Sequence, residues 1–268
     1  EIIYHGKNIV VFTIQEYPLK PVAFRGKYYK RFANSNQLIS TEEVVDMHLQ
    51  TFNSSWDYHI DTQHNIDDIS VDKIQNSIDQ FKDLGLTINE DPVHFLIKQE
   101  LVRNGKLTHA AFLLFSREKT SLTTIELGHF QSPIIIKDSD RSNDDIITQV
   151  NYVLGFIKKH VSKEVVITAN ARNVQKWQYP LEAIREIVMN MIVHRDYRSA
   201  SDSIIKIFPA KIEFYNPGSL PEGISINDLL INNYTSIPRN KLIANFFKNL
   251  GYIEKYGSGI QRILNYFK

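Results

Sequence analysis

The sequence contains no cysteine. Disulfide staples and thiolate metal sites are therefore excluded, which fits a reducing, cytoplasmic setting. Long hydrophobic runs are also missing. The longest, IIYHGKNIVVF and IVMNMIV, are short and broken by polar residues, so no membrane span or signal peptide is expected. Net charge is nearly absent: 31 basic residues against 30 acidic ones leave +1, which argues neither for nor against a nucleic-acid partner. There is no internal repeat and no low-complexity tract.

What remains is an ordinary globular composition. With 43% hydrophobic and 23% charged residues over 268 positions, the chain can bury a sizeable core as one large or two medium domains. It opens at Glu1 inside a strand-like pattern and closes inside a helical one, so we expect a piece of a longer protein. Charge is unevenly spread. Lys7, Lys20, Arg25, Lys27, Lys30 and Arg31 face only Glu1 and Glu16 in residues 1–40, whereas residues 57–91 carry Asp57, Asp61, Asp67, Asp68, Asp72, Asp79, Asp83, Glu90 and Asp91.

The strongest helical pattern is YPLEAIREIVMNMIVHRD, from Tyr179 to Asp196. Leu181, Ile184, Ile187, Val188, Met191 and Ile192 recur at three- and four-residue steps as one apolar face. Glu186, Asn190 and His194 recur at four-residue steps and drift only about 80° around the axis. An acid, an amide and an imidazole therefore share one side of a mostly buried helix. Each needs a partner, from the fold or from a ligand.

Elsewhere the pattern predicts a strand at 8–16, then two short strands turning at Arg25-Gly26-Lys27. Pleating puts Lys27, Tyr29 and Arg31 on one face and Tyr28 and Lys30 on the other. Interleaved basic and aromatic residues can grip phosphates and stack on bases. A solvated hairpin edge protected by lysine is the plainer reading. A helix begins at Ser40 or Thr41 and runs to about Thr51. His59 and His64 near Asp57 and Asp61 suggest a metal, but the spacing fits no ligand pattern, and a solvated acidic loop with Trp56 as anchor is expected.

Helices are expected at Ser70–Leu84 and from Asp91-Pro92, while Thr108 either caps a short helix or leads into the apolar run AAFLLF, which is buried either way. TTIELGHFQ and PIIIKD read as strands. A long helix capped near Ser142 or Asn143 follows, then a hairpin near Ala171-Arg172 and the helix described above. SIIKIFP and KIEFYN are strands joined at Pro209-Ala210, followed by a Pro/Gly loop and helices at INDLL, at 239–249 and at the end. This order predicts an α+β layer of helices against a mixed sheet.

PLEAIREIVMNMIVHRDYRS, IKIFPAKIEFYNPGSLPEGI and RNKLIANFFKNLGYIEKYGSGIQRI together resemble the C-terminal domain of RecG-related or transcriptional-regulator proteins of bacteria and archaea. KPVAFRGKYYKRFANSNQLISTEE is similar to the end of their N-terminal Schlafen/AlbA-like DNA-binding domain. SSWD and NGKLTHAAFLLF resemble their connecting region. The resemblance implies three parts. Residues 1–45 would be the end of the AlbA-like domain, 46–118 a mostly helical connector, and 119–268 a divergent ATPase domain of the gyrase, Hsp90, histidine-kinase and MutL (GHKL) type, a helix layer on a mixed sheet. It implies no helicase motor, since the sequence has no G-x-x-x-x-G-K-[ST] loop.

In GHKL-type ATPases one helix carries a Glu that activates water and, four residues on, an Asn that holds magnesium on the phosphates. The resemblance carries these roles to Glu186 and Asn190, with His194 and Arg195 near the polyphosphate and ATP with Mg as the implied cofactors. The adenine-reading Asp-x-Gly-x-Gly loop corresponds to Tyr215–Pro221, which has no aspartate and keeps only Gly218. The glycine-rich phosphate lid corresponds to Gly257-Ser258-Gly259, whose amides could face an anion. The purely structural alternative pairs Glu186 and Asn190 with Arg195, Arg198 or Arg239. HRD also occurs in protein kinases, but the required Asn five residues after the Asp is Ser201 here. The resemblance thus implies a DNA-binding regulator with a nucleotide-sensing domain, DNA contacts at Arg25, Lys27, Tyr29, Lys30 and Arg31, a homo-oligomer and no membrane partner. The alternative is a Mg-dependent ATPase using Glu186 and Asn190.

Overall fold

The structure, a computed structural model, describes residues 2–4, 7–10, 20–51, 54–167, 173–221, 223–253 and 259–268. The chain divides into two compact units, Glu1–Ser54 and Ser55–Lys268.

The first unit is built from hairpins. Strands β1 (Ile2–Tyr4) and β2 (Lys7–Ile9) pair antiparallel. The remainder of the strand expected at 8–16 lies largely outside the described residues. Strands β3 (Ala23–Phe24), β4 (Lys27–Phe32) and β5 (Ser35–Leu38) form a three-stranded antiparallel sheet. The β3–β4 turn is Arg25-Gly26, with φ of 51° and 73°. Two consecutive left-handed residues are what a two-residue hairpin loop demands. Helix α1 (Thr41–Thr51) starts with a reciprocal cap: Glu43 N–H donates to Ser40 Oγ at 3.2 Å, and Ser40 N–H donates to Glu43 Oε2 at 2.9 Å.

The second unit begins with two short 3-10 turns, Trp56–Tyr58 and Ile66–Asp68. Next come α2 (Val71–Asp83), α3 (Pro92–Lys98), the small hairpin β6 (Val102–Arg103) and β7 (Lys106–Leu107), and α4 (His109–Phe115). Ser70, Asp91 and Thr108 cap the three helices through their side chains, as their positions before apolar runs require. Strands β8 (Ile125–Ser132) and β9 (Ile135–Ser142) form a long hairpin, and α5 (Ile146–His160) follows. The cap of α5 is Asp145, not Ser142 or Asn143. Ser142 is still paired with Ile125 in the sheet, so the helix cannot start there.

A separate antiparallel ribbon, β10 (Lys163–Ile167) with β11 (Asn173–Trp177), leads to α6 (Leu181–His194). Its expected turn at Ala171-Arg172 lies outside the described residues. Strands β12 (Ser203–Ile207) and β13 (Ile212–Tyr215), then α7 (Ile226–Leu230), α8 (Lys241–Asn249) and α9 (Gly259–Tyr266), complete the unit. The main sheet has the order β13-β12-β8-β9, with β12 parallel to β8 and the other pairs antiparallel. It is therefore the mixed sheet the sequence predicts. The crossover from β9 back to β12 carries α5 and α6.

One core serves the whole second unit. It runs from Ile69 and Phe81 through Leu113, Val150 and Val188 to Phe247 and Leu250. The expected boundary near residue 119 does not interrupt it. At one end Phe246 packs against Phe81, Phe95 and Phe115, with ring centroids 5.2, 6.2 and 5.5 Å away.

The acidic loop near Trp56 differs from expectation. Asp57 and Asp61 are buried rather than solvated. Asp57 accepts from Ile243 N–H at 2.9 Å and from Ser55 Oγ, while Ser55 Oγ accepts from Lys241 N–H at 3.3 Å. These two side chains cap α8 from the far end of the sequence. Asp61 accepts from His64 Nδ1 at 2.7 Å, and His109 stacks on Trp56 with centroids 4.0 Å apart. Among the described residues no group of three or more metal-binding side chains forms, and no helix is long and apolar enough to cross a membrane.

Burial raises the Asp57 carboxyl to about 6, outweighing the hydrogen bonds that oppose it. A carboxyl with a higher pKa folded than unfolded keeps its proton in the folded state where the unfolded chain has lost it. Its contribution therefore favours folding at acid pH and declines as pH rises from 3.8 to about 6. We expect that decline to amount to about 3 kcal/mol, and to vanish in Asp57→Asn. Urea unfolding at a series of pH values checks it.

Candidate functional site

Helix α6 presents the polar stripe that its spacing predicts. Ala183, Ile184, Val188, Met189, Met191 and Ile192 are buried, while Glu186, Asn190 and His194 are half-buried along the opposite side. Proline at residue 180 begins the helix without a side-chain cap.

Helix α9 lies against this stripe. Arg262 Nη2 donates to Glu186 Oε2 at 2.8 Å, and the Glu186 side chain is only 14% exposed. Gly259, the first residue of α9, comes so close that a Cβ there would stand 2.2 Å from Glu186 Oε1 and 3.4 Å from Asn190 Nδ2. The first turn of α9 thus meets both residues proposed for base and magnesium ligand. Tyr234 lies nearby. Burial raises its pKa, and the negative charge of Glu186 adds to the rise.

The end of the stripe is differently used. Burial holds the His194 imidazole below its ordinary pKa, and the charge of Arg239 pushes the same way, so the ring is neutral at pH 7. Arg195 is buried and donates to Thr124 O at 2.6 Å and Ser201 O at 3.5 Å. It ties α6 to the start of the main sheet. Arg198 and Arg239 both pair with Asp196, at 2.8 and 3.5 Å. Burial alone would raise Asp196, but the Arg198 hydrogen bonds and the Arg239 charge leave it lowered. None of Arg195, Arg198 and Arg239 supplies the Glu186 ion pair; Arg262 does.

The loop after β13 closes onto the same corner. Asn216 spends both halves of its amide internally. Its Nδ2 donates to Met191 O at 2.9 Å, and its Oδ1 accepts from Ser203 Oγ at 2.8 Å. Gly218 has φ +115°, and a Cβ there would press on Arg239 and Asp196 at 3.3 Å. Arg239 Nη2 donates to Ser219 O at 2.7 Å. The expected phosphate-lid residue Gly257 lies outside the described residues, and Gly259 is the described end of that segment.

In the first unit the strand alternation is as predicted. Lys27, Tyr29 and Arg31 are exposed along β4, while Tyr28 and Lys30 are half-buried on the other face. Arg25 sits in the turn with its guanidinium 5.3 Å from the Phe24 ring centroid. Lys30 thus does not share a face with Lys27, Tyr29 and Arg31.

Residues 201–268 match the family described as "Putative ATP-dependent DNA helicase recG C-terminal". This part of the chain is therefore similar to a RecG-related, ATPase-like domain. The match includes Gly218, Gly257, Gly259 and Arg262 and stops short of Glu186 and Asn190. No curated protein matches the chain. Among solved structures, the DIP2311 protein from Corynebacterium diphtheriae is similar with a TM-score of 0.63 and 19% identity, over 89% of this chain and 48% of that one. At that identity the likeness is one of fold. The chain spans about half the length of that protein, as 48% coverage states.

Sequence reasoning missed Arg262, Tyr234 and Asn216. Arg262 stands three residues after Gly259, one turn into α9, and that spacing was the available signal. Arg262→Ala and Gly259→Ala should each destabilise the protein by about 1–3 kcal/mol, because each leaves the largely buried Glu186 carboxylate without its partner. Because the added methyl pushes Glu186 off Arg262, the double variant should lose less than the sum. A double-mutant cycle by chemical denaturation measures that coupling.

Proposed function

We propose that this protein is a DNA-binding, cytoplasmic, transcriptional-regulator-like protein whose C-terminal region is a divergent GHKL-type domain that senses a nucleotide rather than turning it over rapidly. Residues 1–45 would be the end of a Schlafen/AlbA-like domain. The observation that carries sensing over turnover is the Glu186–Arg262 ion pair. A general base must present a free carboxylate oxygen to water. Here one oxygen is held by Arg262 and the other lies under Gly259. Asn190 beside the first turn of α9 keeps the elements for magnesium and phosphate: an amide oxygen and backbone N–H groups. Asn216, in the place of the adenine-reading acid, is already engaged by Met191 and Ser203, which favours phosphate over base recognition.

The DNA half rests on β4. Its exposed face carries Lys27, Tyr29 and Arg31, and there is no acid between Glu16 and Glu42. A homo-oligomer through the C-terminal region accompanies the regulator reading. The enzyme reading, a Mg-dependent ATPase with Glu186 as base, is favoured by the four-residue spacing of Glu186 and Asn190 on one face of α6. It requires Arg262 to release Glu186.

Calorimetric titration with Mg-ATP separates the readings. We expect magnesium-dependent binding that is lost in Asn190→Ala, with no more than slow hydrolysis in the wild type. The absence of any heat would remove the nucleotide from the proposal. Fast hydrolysis abolished by Glu186→Ala would favour the enzyme. For DNA, replacing Lys27 and Arg31 together with alanine should weaken duplex binding at least tenfold at low salt and flatten its salt dependence. Unchanged binding by fluorescence anisotropy would reject the β4 face as the contact.

A further inference from the structure

The first unit carries a surface whose composition names its ligand more narrowly than duplex DNA. Pairing along the sheet sets Phe24 opposite Lys27, Tyr29 opposite Leu38 and Arg31 opposite Asn36. Cross-strand partners lie on the same face. One face therefore bears Phe24, Lys27, Tyr29, Arg31, Asn36 and Leu38. Phe24 is 65% exposed, Tyr29 42% and Leu38 63%. Arg31 Nη1 donates to Asn36 Oδ1 at 3.0 Å, which fixes the guanidinium over the sheet. Lys20, Arg25, Lys27, Lys30 and Arg31 are accompanied by no acid from residue 20 to residue 41.

We propose that this face binds single-stranded nucleic acid, with Phe24 and Tyr29 as stacking platforms and Lys27, Arg31 and Arg25 as phosphate contacts. The inference rests on the nucleic-acid reading above and narrows it. Stacking decides between strand forms. In a duplex each base face is covered by its neighbours, so exposed rings on a sheet meet only backbone and groove edges. In a single strand the base faces are available, and each base–ring stack adds affinity without demanding a sequence. Exposing rings of this size to water without a partner is unfavourable, whereas a solvated hairpin edge needs only the lysines. A strand that alternates cation, ring, cation places a charge on either side of each stacked base, about 6.8 Å along the strand from one to the next.

The test is fluorescence anisotropy on the full chain with a labelled oligothymidylate and oligouridylate of about 20 nucleotides, and a duplex of equal length. We expect the single strands to bind more tightly than the duplex. Phe24→Ala should weaken single-strand binding roughly five- to hundredfold and leave duplex binding unchanged, and Tyr29→Ala should weaken single-strand binding by a similar factor, with Tyr29→Phe restoring the loss. Lys27→Ala should weaken both. Both sites are exposed, and circular dichroism verifies that the variants fold. Preference for oligothymidylate or oligouridylate identifies DNA or RNA as the source of the strand. Equal or tighter duplex binding, or aromatic variants that bind the single strands normally, overturns the inference and leaves the duplex reading standing. No binding to any of the three overturns both.

Discussion

Two helix ends in the second unit are closed by side chains from elsewhere in the chain, and the site depends on that exchange. Asn240 Nδ2 donates to Val193 O and Arg195 O, at 2.9 and 2.8 Å, and so caps the C-terminus of α6. Asn240 opens α8 but makes no side-chain cap there. Asp57 and Ser55 provide that cap across the fold. Helix termini leave backbone groups that must find partners when buried. Here the partners fix the last turn of α6 against the first turn of α8. His194, Asp196, Gly218 and Arg239 take their places around that joint.

The polar stripe of α6 then divides by position. Its lower end, at His194 and Arg195, is absorbed into the fold by burial and by backbone carbonyls. Its middle, at Glu186 and Asn190, meets α9. The difference follows from what packs on each turn. The joint with α8 and the loop after β13 encloses the lower end, whereas a glycine in the first turn of α9 lets that helix approach the middle without filling it with a side chain. The resulting ion pair is mostly withdrawn from solvent, and it holds the Glu186 carboxylate against α9.

Much of the fold was legible in the residues. Ser70, Asp91 and Thr108 before apolar runs mark helix starts, and alternation along Lys27–Phe32 separates two faces, because capping and pleating are local. Asp145 was missed because Ser142 has equal capping chemistry and only sheet pairing rules it out. The acidic loop was misread for a related reason. Ser55 Oγ is a nearby donor to Asp57, but the N–H groups that seat this pair in the interior come from residues 241, on Ser55, and 243, on Asp57. Arg262 is marked in sequence only by its spacing from Gly259, and its partner Glu186 lies 76 residues earlier.

The sequence alone determined the order of the main-sheet strands and of the helices around them, the shared face of Glu186, Asn190 and His194, and the acid-free basic strand, but not the short strands Ile2–Tyr4 and Ser35–Leu38 of the first unit. Each depends on periodicity or composition within one segment. The tertiary structure decided which of those polar groups are consumed. It gave Arg195 to the sheet, Asn216 to the end of α6, and Glu186 to Arg262. Hydrogen bonds and ion pairs act over a few ångströms, and the partners stand tens of residues apart, so only the folded chain brings them within reach.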